Sequence, residues 1–222
     1  MPSHTRRFDA VLFDMDGVLV DSEHRWNDVR RAYARERGRP WTEDDQRAVM
    51  GANSREWSEI MRERLRLDET PEQVLADIVA GVVGQFRMGA VEVIPGAPGA
   101  VRRIAASHPV ALASSSHREV IAAALDMMGL HDAFGATVSS DEVPRGKPDP
   151  GVYQHAARML GVDPTRCLVI EDSTNGVLAG KAAGSFVVLV PSATVVAAAE
   201  AFEAADLVVA RLADLDPDAL PL

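Results

Sequence analysis

The residues in this chain that could do chemistry begin with Asp14 and Asp16, which close the apolar run Ala10-Val11-Leu12-Phe13 and are followed by Gly17. A short apolar run of this kind suits a strand buried on both faces of a parallel sheet. Such a strand should end in charge only where the charge has a partner, because an unpaired carboxylate is costly to bury. A divalent cation at the strand tip would hold the two aspartates together, and Gly17, tolerant of positive φ, lets the chain turn there. Taken alone, the same residues also describe an Asp-rich turn.

Three more groups stand at the ends of apolar runs or in rigid loops. Ser114 opens Ser114-Ser115-Ser116 after Val110-Ala111-Leu112-Ala113, and Glu171-Asp172 follow Cys167-Leu168-Val169-Ile170. Lys147 lies within Arg145-Gly146-Lys147-Pro148-Asp149-Pro150. Each has a plain alternative: a turn serine, a helix-start carboxylate pair favoured by the macrodipole, and a surface lysine in a proline turn. Their joint occurrence favours function. Magnesium takes a few carboxylates together with substrate phosphate and water. Asp14 and Asp172 are then the best side-chain ligands, with Glu171 additional and Asp16 contributing through its backbone carbonyl. A fixed ammonium at Lys147 would neutralise a transferring phosphoryl group and the attacking carboxylate. The Ser114 hydroxyl, with Ser115, Ser116 and Gly17 nearby and a helix start following, would bind the phosphate.

These residues must be positioned by elements that alternate. Runs at 110–113, 136–139, 167–170 and 186–190 read as strands, and segments near 98–107, 118–128, 150–160 and 174–183 as helices. Gly129 is placed as a C-cap and Ser173 as an N-cap. The alanine-rich stretch 193–205 reads as a further helix, and 207–209 as an edge strand. Strand–helix alternation implies a Rossmann-like, doubly wound α/β fold with a parallel sheet, whose strand ends share one edge. Between Ser22 and about residue 88 the pattern is purely helical, with segments at 23–37, 43–50, 54–66 and 71–87, and Thr70 capping Pro71. We therefore expect an α/β core of residues 1–20 and 90–222 with an inserted α-helical cap of residues 21–89. Trp26, Trp41 and Trp57 all fall in the cap, where packing is the default role and Trp57 has a second option as a pocket wall.

Composition limits the function classes. With 222 residues, 47% hydrophobic and 25% charged, the chain suits one core with an insert. A net charge of -10 argues against a nucleic-acid partner, which needs a basic face. The single cysteine, Cys167, excludes an intrachain disulfide and reads as a small core residue. A polar start and no apolar run of roughly twenty residues predict a soluble, cytoplasmic protein with no membrane partner, expected as a monomer. His24, His108, His117, His131 and His155 show no mutual metal spacing, so zinc is not expected. His24 and His117 read as solvated helix-face residues, with the cleft as their alternative. Neither a G-x-S-x-G elbow nor a G-x-x-x-x-G-K-[ST] loop is present.

The run from Asp14 to Glu23, with Ser114, Gly146-Lys147-Pro148 and Glu171-Asp172-Ser173-Thr174-Asn175-Gly176, resembles the four signature motifs of the haloacid dehalogenase superfamily. The likeness covers essentially the whole chain and points to the phosphatase and β-phosphoglucomutase branch with a helical cap. It implies Asp14 as the nucleophile that forms an aspartyl-phosphate and Asp16 as the general acid and base. It further implies Ser114 and Lys147 as the phosphoryl clamp, and Asp14, Asp16, Glu171 and Asp172 around Mg²⁺. An acid at position 16 disfavours dehalogenation, since a halide leaves without a proton.

The expected activity is hydrolysis of a small phosphorylated metabolite, such as a sugar phosphate. A β-phosphoglucomutase is the alternative, because Gly51-Ala52-Asn53-Ser54-Arg55-Glu56 resembles the mutase cap turn whose arginine grips a sugar phosphate. Here that turn is one residue longer, and Trp26 stands where mutases tend to have histidine. On this reading Arg55 is the foremost cap residue for substrate. A non-enzymatic phospho-acceptor domain is a third reading, disfavoured by Asp16 and by the helical insert.

Overall fold

The computed structural model describes residues 7–50, 52–192, 194 and 196–220. Six parallel strands form one sheet in the order β5-β4-β1-β6-β7-β8: β1 (Ala10–Phe13), β4 (Val110–Ser114), β5 (Ala136–Ser139), β6 (Cys167–Glu171), β7 (Phe186–Leu189) and β8 (Leu207–Val208). The order reverses at β1, so the strand that carries Asp14 sits at the switch point, where such sheets form a crevice.

Period-two alternation divides the strand side chains between two apolar clusters. Val11, Phe13, Leu112, Leu168 and Ile170 belong to one, and Ala10, Leu12, Ala111, Ala113, Cys167 and Val169 to the other. Helices α5 (Ala97–Ala105) and α6 (Arg118–Met128) cover the first face. Helices α7 (Gly151–Met159), α8 (Thr174–Ala182) and the short α9 (Ala199–Ala204) cover the second. The sheet is therefore doubly wound, as the alternation predicts. Cys167 is fully buried in β6, and burial pushes its thiol up to about 12, so it is an inert core residue.

One expected helix is much shorter than its composition suggests. Within 193–205 only Ala199–Ala204 is helical, and residues 193 and 195 lie outside the described residues. The chain instead stays extended at Ala198, whose N–H goes to the Thr174 hydroxyl at 2.8 Å. That tertiary hydrogen bond outweighs alanine's helix propensity.

The helical block contains α1 (Glu23–Glu36), α2 (Glu43–Val49), α3 (Ser54–Leu65) and α4 (Pro71–Arg87). Thr42, Asn53 and Thr70 each start their helix with a full capping box. The block is entered through β2 (Val20–Asp21) and left through β3 (Glu92–Val93), which pair antiparallel. The two connections thus form one ribbon, tightened by the Ile94 N–H to the Leu19 carbonyl at 2.9 Å. On the far side, the Asp141 carboxylate accepts the Ser54 N–H at 2.8 Å and ties the start of α3 to the loop after β5.

Candidate functional site

Register brings the charged strand ends together. Phe13 stands opposite Leu112 on one side and Ile170 on the other, so the next residue, Asp14, comes level with Ala113 and Glu171. Lys147 reaches in from its proline-bounded loop, 2.6 Å from Asp14 Oδ1, 2.7 Å from Glu171 Oε1 and 3.2 Å from the Ala113 carbonyl. The ammonium is buried and lies over the Tyr153 ring, 4.9 Å from its centroid.

The carboxylates divide the work by what each accepts. Glu171 is fully buried and saturated with donors: Lys147 and the Tyr153 hydroxyl on Oε1, and Asp172 N–H, Ser173 N–H and Ser173 Oγ on Oε2. Burial raises its pKa, but Lys147 and these hydrogen bonds outweigh that and hold it below the ordinary value. A single ammonium cannot fully compensate two carboxylates, and Asp14 carries the excess. Burial, only partly offset by Lys147 and reinforced by Glu171 and Asp16, pushes Asp14 up to about 8. Asp172 is raised well above its ordinary range by burial and by the Glu171 and Asp14 charges. Lys147 loses to burial but gains more from Asp14 and Glu171, so it stays charged well above the usual lysine range.

Ligand atoms of Asp14, Glu171 and Asp172 lie within 4.8 Å of one another. Asp172 Oδ2 is buried with no hydrogen-bond partner. An orphaned oxygen among three carboxylates and one ammonium is an acceptor set short of positive charge, and hard oxygen donors of this type fit Mg²⁺. Two glycines make the cluster possible. A Cβ on Gly17, at φ +83°, would stand 1.8 Å from Asp172 Oδ2, and one on Gly176 would stand 1.7 Å from Glu171 Oε1.

Asp16 keeps its carboxylate out of this cluster. It accepts from the hydroxyls of Ser22, Ser116 (2.8 Å) and Ser114 (3.3 Å), and it lines the same cavity as Asp14. Ser114 is fully buried, and its oxygen also accepts the Ser116 N–H at 3.0 Å. Asp14, Asp16, Gly17, Ser115, Ser116, Lys147 and Asp172 all line one cavity of about 120 Å³. Arg55 does not: it is exposed on the first turn of α3. The cation on the helical wall of the cavity is Arg30, with Glu23, Trp26 and Trp57 around it. Trp26 and Trp57 meet edge to face at 6.0 Å, so they both pack and line the cavity.

Sequence reasoning missed Arg30 and Tyr153. Arg30 shares the spacing of Trp26, Tyr33 and Ala34, the buried face of α1, and an arginine on an apolar face is the signal that could have found it. His24 is half exposed beside Asp21 at 3.5 Å, and His117 caps α6 by accepting the Glu119 N–H, so neither needs a role in the cleft.

A buried carboxylate at the carboxyl edge of a parallel sheet, held by a lysine and set beside two further acids, gives this α/β fold an acid-lined crevice. Comparison with known proteins agrees. Residues 8–184 match the family of haloacid dehalogenase-like hydrolases, and the chain belongs to that family. It is 33% identical over 205 residues to hexitol phosphatase B of Escherichia coli K12, covering 86% of each chain. It is 35% identical over 185 residues to the bifunctional riboflavin kinase/FMN phosphatase of Arabidopsis thaliana, spanning 82% of this chain but 48% of that protein. Among solved structures, a candidate β-phosphoglucomutase from Thermotoga maritima superposes with a TM-score of 0.70 at 31% identity, covering 92% of this chain and 95% of the other. No helix among the described residues is long and apolar enough to cross a membrane.

Proposed function

We propose that this chain is a Mg²⁺-dependent phosphatase that hydrolyses a small phosphomonoester, such as a sugar phosphate, through an aspartyl-phosphate on Asp14. The observation that carries the reading is the buried Asp14–Lys147–Glu171 network with the orphaned Asp172 oxygen beside it. Asp14, Asp172 and Glu171 would hold Mg²⁺, Glu171 chiefly by fixing Lys147, and Asp16 would join through its backbone carbonyl. Bound there, the cation offsets the charge of the transferring phosphoryl group and favours the ionised form of Asp14.

The chemistry of the chain's own groups follows. The Asp14 carboxylate attacks phosphorus while the bond to the leaving oxygen breaks, and Asp16 gives that oxygen its proton. Asp16 then takes a proton from water, whose oxygen attacks phosphorus, releasing phosphate and restoring Asp14. Lys147 neutralises the nucleophile, Ser116 holds Asp16, and Ser115 and Ser116, which line the cavity, would bind the phosphate. Residues 21–89 would act as a cap over the core of residues 1–20 and 90–222, moving about the β2–β3 ribbon to exclude water.

The mutase reading draws on the β-phosphoglucomutase likeness, but it needs a grip on a second phosphoryl group, and Arg55 lies away from the cavity. The test is a screen of phosphorylated metabolites with Mg²⁺, run on the wild type and on Asp14→Asn. Phosphate release by the wild type and its loss in the variant are expected. Near-normal turnover by Asp14→Asn would overturn the nucleophile assignment. Formation of glucose 6-phosphate from β-glucose 1-phosphate with a bisphosphate primer would favour the mutase.

A further inference from the structure

The helical wall of the cavity is built as carefully as its floor. Arg30 is 5% exposed, yet its Nε has no hydrogen-bond partner. Its guanidinium lies 5.0 Å from the ring centroid of Trp26 and 5.6 Å from that of Trp57, and Nη1 reaches Gln46 Oε1 at 3.4 Å. The Gln46 amide in turn donates to Glu23 Oε1 at 2.5 Å, and the Trp41 indole N–H fixes Gln46 from behind at 3.2 Å. Glu23 and Arg30 are thus held by one amide, one presenting an acceptor and the other a donor, with two indoles beside them.

Burying a guanidinium without satisfying it costs stability, and the cost is intelligible if a ligand supplies the missing acceptor. Burial lowers Arg30 to about 10, which leaves it charged at neutral pH, and burial also raises Glu23 against the Arg30 attraction. The wall's charge decides what the ligand can be. The lining side chains include the carboxylates of Asp14, Asp16, Asp21, Glu23 and Asp172, against the cations Lys147 and Arg30. Lys147 is committed to Asp14 and Glu171, whereas Arg30 feels the Glu23 and Asp16 charges without an ion pair among the described residues. A second anionic group on a substrate would meet the carboxylates of Glu23 and Asp21, and Arg30 already carries the attraction of Glu23. A hydroxyl group suits the same wall well, accepting from Arg30 and donating to Glu23, while the C–H face of a polyol covers an indole.

We propose that Glu23 and Arg30, braced by Gln46 between Trp26 and Trp57, are the specificity-determining pair of this site. They select phosphomonoesters whose leaving group is uncharged and hydroxylated over those carrying a second phosphate or a carboxylate. The inference rests on the phosphatase reading above and deepens it.

The test compares kcat/KM with Mg²⁺ for four probes: glucitol 6-phosphate, fructose 1,6-bisphosphate, 3-phosphoglycerate and phenyl phosphate, the last having no hydroxyl on its leaving group. The wild type should prefer glucitol 6-phosphate at least tenfold over fructose 1,6-bisphosphate and 3-phosphoglycerate, the two probes with a second anionic group. Arg30→Met should cut the glucitol-to-phenyl ratio by about tenfold, because the donor to the substrate hydroxyl is gone. Glu23→Gln, nearly isosteric and therefore fold-preserving, should narrow the discrimination against the bisphosphate severalfold by removing a repelling charge. Turnover of phenyl phosphate with rates on fructose 1,6-bisphosphate and 3-phosphoglycerate equal to or better than on glucitol 6-phosphate would overturn this inference alone. So would unchanged ratios in the Glu23 variant. Release of phosphate from none of the four by the wild type would overturn the phosphatase reading, and this one with it.

Discussion

Replacing Asp172 by asparagine should make the metal-free protein more stable while removing its response to magnesium. Asp172 Oδ2 is buried without a partner, within a cluster where Asp14 and Glu171 share only Lys147. An unsatisfied buried acceptor costs about 1–3 kcal/mol, and an amide of the same shape would turn an N–H toward the neighbouring carboxylates. A gain of about 1–2 kcal/mol follows, in the range of other charge-relieving substitutions. For a chain of this size that is a rise in Tm of about 2–8 °C.

The sign with pH is fixed. Burial, then Glu171 and Asp14, raise Asp172 above the ordinary 3.8, so its contribution to stability is fully present below that pH and is lost as pH rises. The advantage of Asp172→Asn should therefore vanish near pH 4 and grow toward neutrality. Magnesium reverses the ranking: a ligand at a hundredfold its Kd stabilises the native state by about 2.7 kcal/mol, a gain the variant forgoes. The assay is thermal unfolding of both proteins in EDTA and in excess Mg²⁺ at two pH values. A variant less stable than wild type in EDTA, or one equally stabilised by Mg²⁺, would refute the reasoning.

Two further outcomes follow from the same geometry. Asp16→Asn should lose about 10²–10⁴-fold on alkyl phosphates, the range of general acid catalysis, and much less on p-nitrophenyl phosphate, whose leaving group needs no proton; equal losses on both would deny Asp16 the acid role. Gly176→Ala should destabilise by about 1–3 kcal/mol in urea denaturation, because its Cβ would stand 1.7 Å from Glu171 Oε1 and must displace the carboxylate that holds Lys147 and Tyr153. An unchanged midpoint would show that Glu171 moves freely.

Much of this molecule was legible in its sequence because the relevant signals are local. Helical periodicity placed α1 to α4 within a residue or two, apolar runs placed β1, β4 and β6, and cap residues such as Thr70 and Ser173 marked helix starts. The residue types at positions 14, 16, 114, 147, 171 and 172, together with the family likeness, pointed to the chemistry we propose. What each carboxylate would do was not legible. Glu171 and Asp172 are neighbours in the chain, yet one accepts five donors and the other is left with a bare oxygen. That division depends on where Lys147 and Tyr153 arrive, and their arrival is set by strand register and helix packing. Arg30 and Arg55 show a related limit: the apolar spacing of α1 marks Arg30 as buried, but only the fold decides that it lines the cavity while Arg55 faces solvent. Sequence determined which groups were available and which elements would carry them. Tertiary structure decided which of them compete for the same donors, because that competition takes place across distances no local pattern encodes.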